Sequence, residues 1–80
     1  MCYLVEREYD LSGNLTRETR VSGDIRESDM AYAKHCMEHL FHFKVIENRH
    51  IVVGGSLAYT DTKCTMQLKT GQYEVAIVSL

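Results

Sequence analysis

Imidazoles and thiols are the side chains of this chain with the most obvious capacity for chemistry. His35, His39 and His42 recur at intervals of four and three residues. On a helix turning 100° per residue, that spacing keeps them within about 60° of one another. An i, i+4 pair of imidazoles can grip one zinc or nickel ion, with Glu38, His50 or Cys64 as a further ligand. The glutamate pattern of a zincin helix is missing, and no closely spaced cysteine pair accompanies the histidines. A solvated helix face is the preferred reading. A metal-binding module built on His35, His39 and His42 is the first alternative.

Cys2, Cys36 and Cys64 are an odd number of cysteines at wide spacing. This argues for free thiols in a reducing compartment rather than a disulfide framework. Removal of Met1 would place the Cys2 thiol beside an α-amino group, a possible nucleophile and base. Residues 2–9, however, read as a plain strand. Cys36 and Cys64 fall on apolar faces and read as small core residues. Ser56, Asp61 and His50 are the right types for a triad, but nothing places them in one. Gly54-Gly55-Ser56 lacks the lysine and the following helix of a phosphate loop. No catalytic set emerges, so the expectation is a non-enzyme without a cofactor.

These side chains must be positioned by a few short elements. Residues 2–9 and 15–22 have the composition of two strands, joined by the turn-forming run Asp10-Leu11-Ser12-Gly13-Asn14. Charge sets their register. With Asp10 opposite Leu15, Glu8 faces Arg17 and Arg7 faces Glu18, whereas a shift by one opposes like charges. In that register Leu4 and Cys2 point toward a helix. Tyr3, Val5, Arg7 and Tyr9 point the other way.

Residues 28–44 form the helix. Tyr32, Phe43, Cys36, Leu40, Ala33, Met37, Met30 and Phe41 occupy one continuous half of the wheel. Such a face must be buried, and the flanking strands supply the sheet. Ser28, or Asp24 with Glu27, could cap its start, while His42 and Lys44 suit its carbonyl end. Residues 45–47 and 50–53 are β-rich and could form a hairpin, unless the helix runs on to Val45. After Gly54-Gly55, strands follow at residues 57–60, 63–69 and 72–80. Cys64, Met66 and Leu68 alternate with polar neighbours, and Thr70-Gly71 makes a turn. The expected fold is therefore α+β: one domain over residues 1–80, in ββαβββ order, an antiparallel sheet with one amphipathic helix on one face.

Composition narrows the function. Eighty residues, 45% of them hydrophobic and 25% charged, suit one compact domain of modest core. A net charge of −2 with dispersed lysines and arginines makes nucleic acid an improbable partner. A dimeric nucleic-acid-binding regulator is the second alternative, since pairing could gather scattered arginines. No apolar run is long enough for a membrane span and no signal segment is evident, so a cytoplasmic location is expected. The favoured function is contact with another protein, with a homodimer also possible, and Tyr3, Arg7 and Tyr9 as interface anchors. Small proline-free chains of this kind suit a phage or mobile-element inhibitor of a host complex, of anti-CRISPR or anti-defence type, acting in the host cytoplasm.

Overall fold

The strands and the helix of this chain solve one problem: several apolar strand faces need a cover. The computed structural model describes residues Met1–Leu80. It runs β1 (Cys2–Tyr9), β2 (Leu15–Arg20), a 3₁₀ turn (Glu27–Asp29), α1 (Met30–Glu47), β3 (Ala58–Tyr59), β4 (Lys63–Leu68) and β5 (Gly71–Ser79). The strands make one five-stranded antiparallel sheet in the order β2-β1-β5-β4-β3. The last strand, β5, thus lies at the centre, paired along its length with β1 on one side and β4 on the other. It is also the most completely buried element, as its near-continuous apolar run requires.

Alternation decides which residues meet the helix. Cys2 and Leu4 of β1, Cys64 and Met66 of β4, and Tyr73, Val75 and Ile77 of β5 all point to one side. There they close on Ala33, Met37 and Phe41, three helix residues with no exposed surface. Ring packing adds specificity. Phe41 lies stacked 6.5 Å from Tyr73 and edge-on 5.5 Å from Tyr59.

The β1–β2 hairpin keeps the register that charge dictates, with Arg7 opposite Glu18 and Glu8 opposite Arg17. Its closure differs from expectation. A bulge after Glu8 sets Tyr9, not Asp10, opposite Leu15. Asp10 is thereby freed to organise the turn, its Oδ1 accepting the Ser12 and Asn14 amides at 2.9 Å each. Those bonds, the Asn14 amide first, hold the Asp10 carboxyl below its usual range.

Two expectations for the helix need correction, and one that was left open is decided. The segment 45–47 takes the helical alternative, because Val45 falls one turn beyond Phe41 and packs against the same core. This contact overrides the β preference of Val45 and Ile46. Asn48 then ends the helix, its amide and its side-chain Nδ2 both donating to the Lys44 carbonyl. The start uses neither expected cap: the helix enters through the 3₁₀ turn, without a side-chain cap. The apolar half of the wheel is also only partly buried. Tyr32 is 65% exposed and Phe43 56%. Of residues 50–53, Val52 alone forms a bridge, to Leu68.

Two substitutions check this arrangement. Phe41→Ala should cost about 3–5 kcal/mol of stability, whereas Phe43→Ala should cost less than about 1; urea unfolding of both reads the difference. Equal losses would mean that the buried and exposed faces have been interchanged. Gly71, at φ 152°, has no room for a side chain, since a Cβ would collide with the Tyr9 carbonyl oxygen. Gly71→Ala should therefore lower stability by more than about 2 kcal/mol, by forcing β5 away from β1.

Candidate functional site

With one helix on one side, the sheet's other side carries no second layer. On that bare face β1 presents Tyr3, Val5, Arg7 and Tyr9, the set that alternation predicts. Neighbouring strands add Glu18 and Arg20 from β2, Glu74, Ala76 and Val78 from β5, and Lys63 and Thr65 from β4. Charges of opposite sign sit side by side across it. The Arg7 guanidinium donates to Glu18 at 2.6 Å through Nε and to Glu74 at 3.0 Å through Nη1. Lys63 approaches the other Glu74 oxygen at 3.9 Å, and the Tyr9 hydroxyl lies 3.5 Å from Oε2.

Glu74 is the structural pivot of this face. Only 4% of it is exposed, so its carboxylate depends on these partners in place of water. The two carboxylates raise the Arg7 pKa further above its already high value, chiefly through their hydrogen bonds. The Tyr9 phenol is pushed up by burial first and by the Glu74 charge second. One row away, the Arg20 guanidinium lies 4.1 Å from the centre of the Tyr3 ring, a cation–π contact, and also pairs with Asp24. Tyr3, Arg7 and Tyr9 are therefore brought onto one face and held there. Tyr3 is fixed by stacking; Arg7 and Tyr9 share Glu74.

The histidines are arranged differently from a metal site. His35 and His39 lie side by side, ring centres 5.9 Å apart, but His42 turns to Tyr59, with Nε2 3.4 Å from the hydroxyl. The three imidazoles are not gathered on one point, and no three His, Cys, Asp or Glu side chains come together as metal ligands. Neither Cys64 nor His50 joins them. Cys64 is buried in the core, where burial pushes its thiol above the ordinary value.

Candidate nucleophiles are likewise separated from bases. Cys2 is 1% exposed and its backbone pairs with Ile25, so the thiol belongs to the core. The Ser56 hydroxyl donates to the Val53 carbonyl at 2.6 Å, while Asp61 lies beside Lys34 at 3.9 Å. His50, on the turn after the helix, contacts neither by hydrogen bond or ion pair.

A polar cleft that sequence reasoning missed lies where the helix leaves the sheet. Lys44 reaches Glu6 at 3.9 Å and Glu47 at 3.2 Å, and Arg17 pairs with Glu8 at 3.3 Å. The Tyr73 hydroxyl donates to Glu6 at 2.5 Å. Burial, then this bond, keeps the phenol protonated far into the alkaline range. It is a hydrogen-bond donor and not a base. Glu6 and Glu8 share the helix-facing side of β1, so their acidity gave the one available signal that this end of the sheet stays open.

No protein-family model matches the chain, and comparison with curated proteins and with solved structures yields no significant match. No helix is long and apolar enough to cross a membrane.

The Arg7–Glu74 pair makes a sharp prediction. Arg7→Leu leaves a buried carboxylate with only Lys63 and Tyr9 nearby, and should cost about 3–5 kcal/mol. The double variant Arg7→Leu/Glu74→Leu should recover most of that loss, because no unpaired charge remains. Denaturation of the two single variants and the double variant gives the coupling. Simple additivity would show that the pair is not interacting.

Proposed function

We propose that this protein is a small non-catalytic module for protein–protein contact, and that the bare sheet face centred on Tyr3, Arg7 and Tyr9 is its contact surface. One observation carries the reading: a five-stranded sheet with one side covered by the only helix and the other side left to amphipathic side chains already held in place. Tyrosine and arginine are the residue types that anchor interfaces: tyrosine offers broad area with only two side-chain torsions to freeze, and arginine a planar guanidinium with five donors. Fixing them in advance lowers the ordering cost of association.

The charge pattern points to the class of partner. Arg7, Arg20 and Lys63 are interleaved with Glu18 and Glu74, so the face has no uniform sign. A phosphate backbone would meet repulsion at every other position. A protein surface of mixed charge can match it, and the alternation then sets register. A blocking role suits this reading. A rigid domain of this size can act by occupying a surface that a larger assembly needs, as a phage or mobile-element inhibitor of anti-CRISPR or anti-defence type would. The metal-binding and nucleic-acid readings gain no particular contact that favours them.

Affinity purification of the tagged protein from its native host, followed by binding measurements on the captured partner, tests this. Tyr3→Ala/Tyr9→Ala should weaken binding by about 2 kcal/mol or more, roughly 30-fold in Kd, while the circular dichroism spectrum stays native. A folded double variant that binds as tightly as the original protein would remove the sheet face from the interface.

A further inference from the structure

The two edges of the sheet are finished differently. On one side β3 is only two residues long, and the segments around it close the outer rim of β4. There the Val53 amide donates to the Gln67 carbonyl at 2.9 Å, the Lys69 amide to Ile51 at 2.8 Å and the Thr60 amide to Lys63 at 2.7 Å. On the other side β2 ends the sheet as six regular residues, Leu15–Arg20, with no strand beyond it. Alternate residues of such a strand turn their backbone groups outward. The Val21 amide donates to the Leu4 carbonyl at 2.9 Å, which sets the phase. Arg17 and Thr19 therefore turn their backbone groups toward β1, while Thr16, Glu18 and Arg20 turn theirs to the open rim. No β2 residue belongs to the core that holds α1, so the strand is clear on both faces.

We propose that β2 pairs edge to edge with β2 of a second copy, antiparallel about a two-fold axis at Thr19, so that one sheet runs through both chains. The rim is separate from the bare face, and the pairing holds whatever that face binds.

Charge selects both the occupant and the register. An antiparallel two-fold sets its central residue against itself, and sets residues equally far on either side against one another. With Arg17, Glu18 or Arg20 at the centre, like charges would stand directly opposed. Centring on Leu15 or Thr16 would run the pairing into the turn at Asn14. Thr19 at the centre instead brings Glu18 opposite the partner's Arg20 on both sides of the axis. Both of these residues have outward backbone groups, so each such pair exchanges its two N–H···O=C bonds. Both side chains stand on the bare-face side, and each keeps a free atom. Within the chain Glu18 accepts through Oε2, and Arg20 donates through Nε and Nη2, which leaves Oε1 and Nη1 for the partner. Further out, Thr16 meets the partner's Ser22. That residue still follows β1, its hydroxyl oxygen accepting the Leu4 amide at 2.8 Å. The charges that join two copies in this register repel them in the neighbouring ones, which is how an open edge avoids indiscriminate pairing.

Sedimentation velocity of the full chain from about 5 to about 500 µM tests the proposal, and the dimer fraction should rise across that span. Arg20→Glu sets like charges opposite each other at both pairs and should weaken dimerisation at least about 10-fold, with a native circular dichroism spectrum. Phe43→Ala, on the exposed flank of the helix, should leave the dimer intact. Register is read by disulfide trapping in a Cys36→Ser background. Thr19→Cys should cross-link to its own copy, whereas Arg17→Cys, which lies opposite the partner's Val21, should not. A chain that is monomeric at every concentration overturns the proposal. So does an Arg20→Glu chain that dimerises as tightly as the original, or a dimer lost in Phe43→Ala. Cross-linking through Arg17→Cys in place of Thr19→Cys overturns the pairing about Thr19 and the proposal with it.

Discussion

A single helix has to close the core of a five-stranded sheet, and it can cover one face only. The contact between the Ala33–Met37–Phe41 row and the inner face of β5, with Cys2, Leu4, Cys64 and Met66 to either side, is therefore the interaction on which the fold rests. It fixes the rotation of α1 about its axis, since these three residues recur at four-residue intervals and share one stripe. Once that stripe is committed inward, every other apolar residue of the helix is displaced to a flank. The same commitment leaves the far side of the sheet without a cover.

The bare face is stabilised by polar pairing instead of by a second layer. Val5 and Ala76 are nearly inaccessible there, although no backbone lies above them. Of the long side chains on this face, Arg7 and Lys63 are restrained by ion pairs with Glu74, and Arg20 by Asp24 and the Tyr3 ring. A carboxylate buried to this degree is tolerable only while it remains paired. The surface is thus stiff as well as exposed, which connects the electrostatics of the sheet to its proposed role in recognition. Rigidity costs nothing further on association, whereas flexible arginines and tyrosines would lose conformational freedom at that step.

The two surfaces differ in kind. The sheet face is a mosaic of charge and aromatic rings, suited to a partner of matching pattern. The helix flank is apolar, with Tyr32, Phe43 and Ile46 exposed on it. They lie on opposite sides of the two-layer structure, so one can be occupied while the other remains free. The polar cleft formed by Glu6, Glu8, Arg17, Lys44 and Glu47 separates them at one end, where β1 passes from apolar to acidic just as the helix terminates.

Local pattern was enough to establish the elements and much of their arrangement. The alternation of Cys64, Met66 and Leu68 marks a strand with one inward face, and the charges of Arg7, Glu8, Arg17 and Glu18 specify the hairpin register, because cross-strand neighbours interact at short range. The same alternation places Tyr3, Arg7 and Tyr9 together, away from the helix. What local pattern could not decide was anything that depended on residues distant in sequence. Val45 and Ile46 favour strands by their own chemistry, and their helical state follows from a core contact beyond Phe41. The pairing of β1 with β5 brings Glu74 to Arg7 across 67 positions, and no feature near either residue announces it. A helical wheel counts apolar residues but not the width of the surface available to cover them. Tyr32 and Phe43 were thus indistinguishable from Met37 and Phe41 until the sheet had taken its place, because burial belongs to the assembled layers and not to the helix alone.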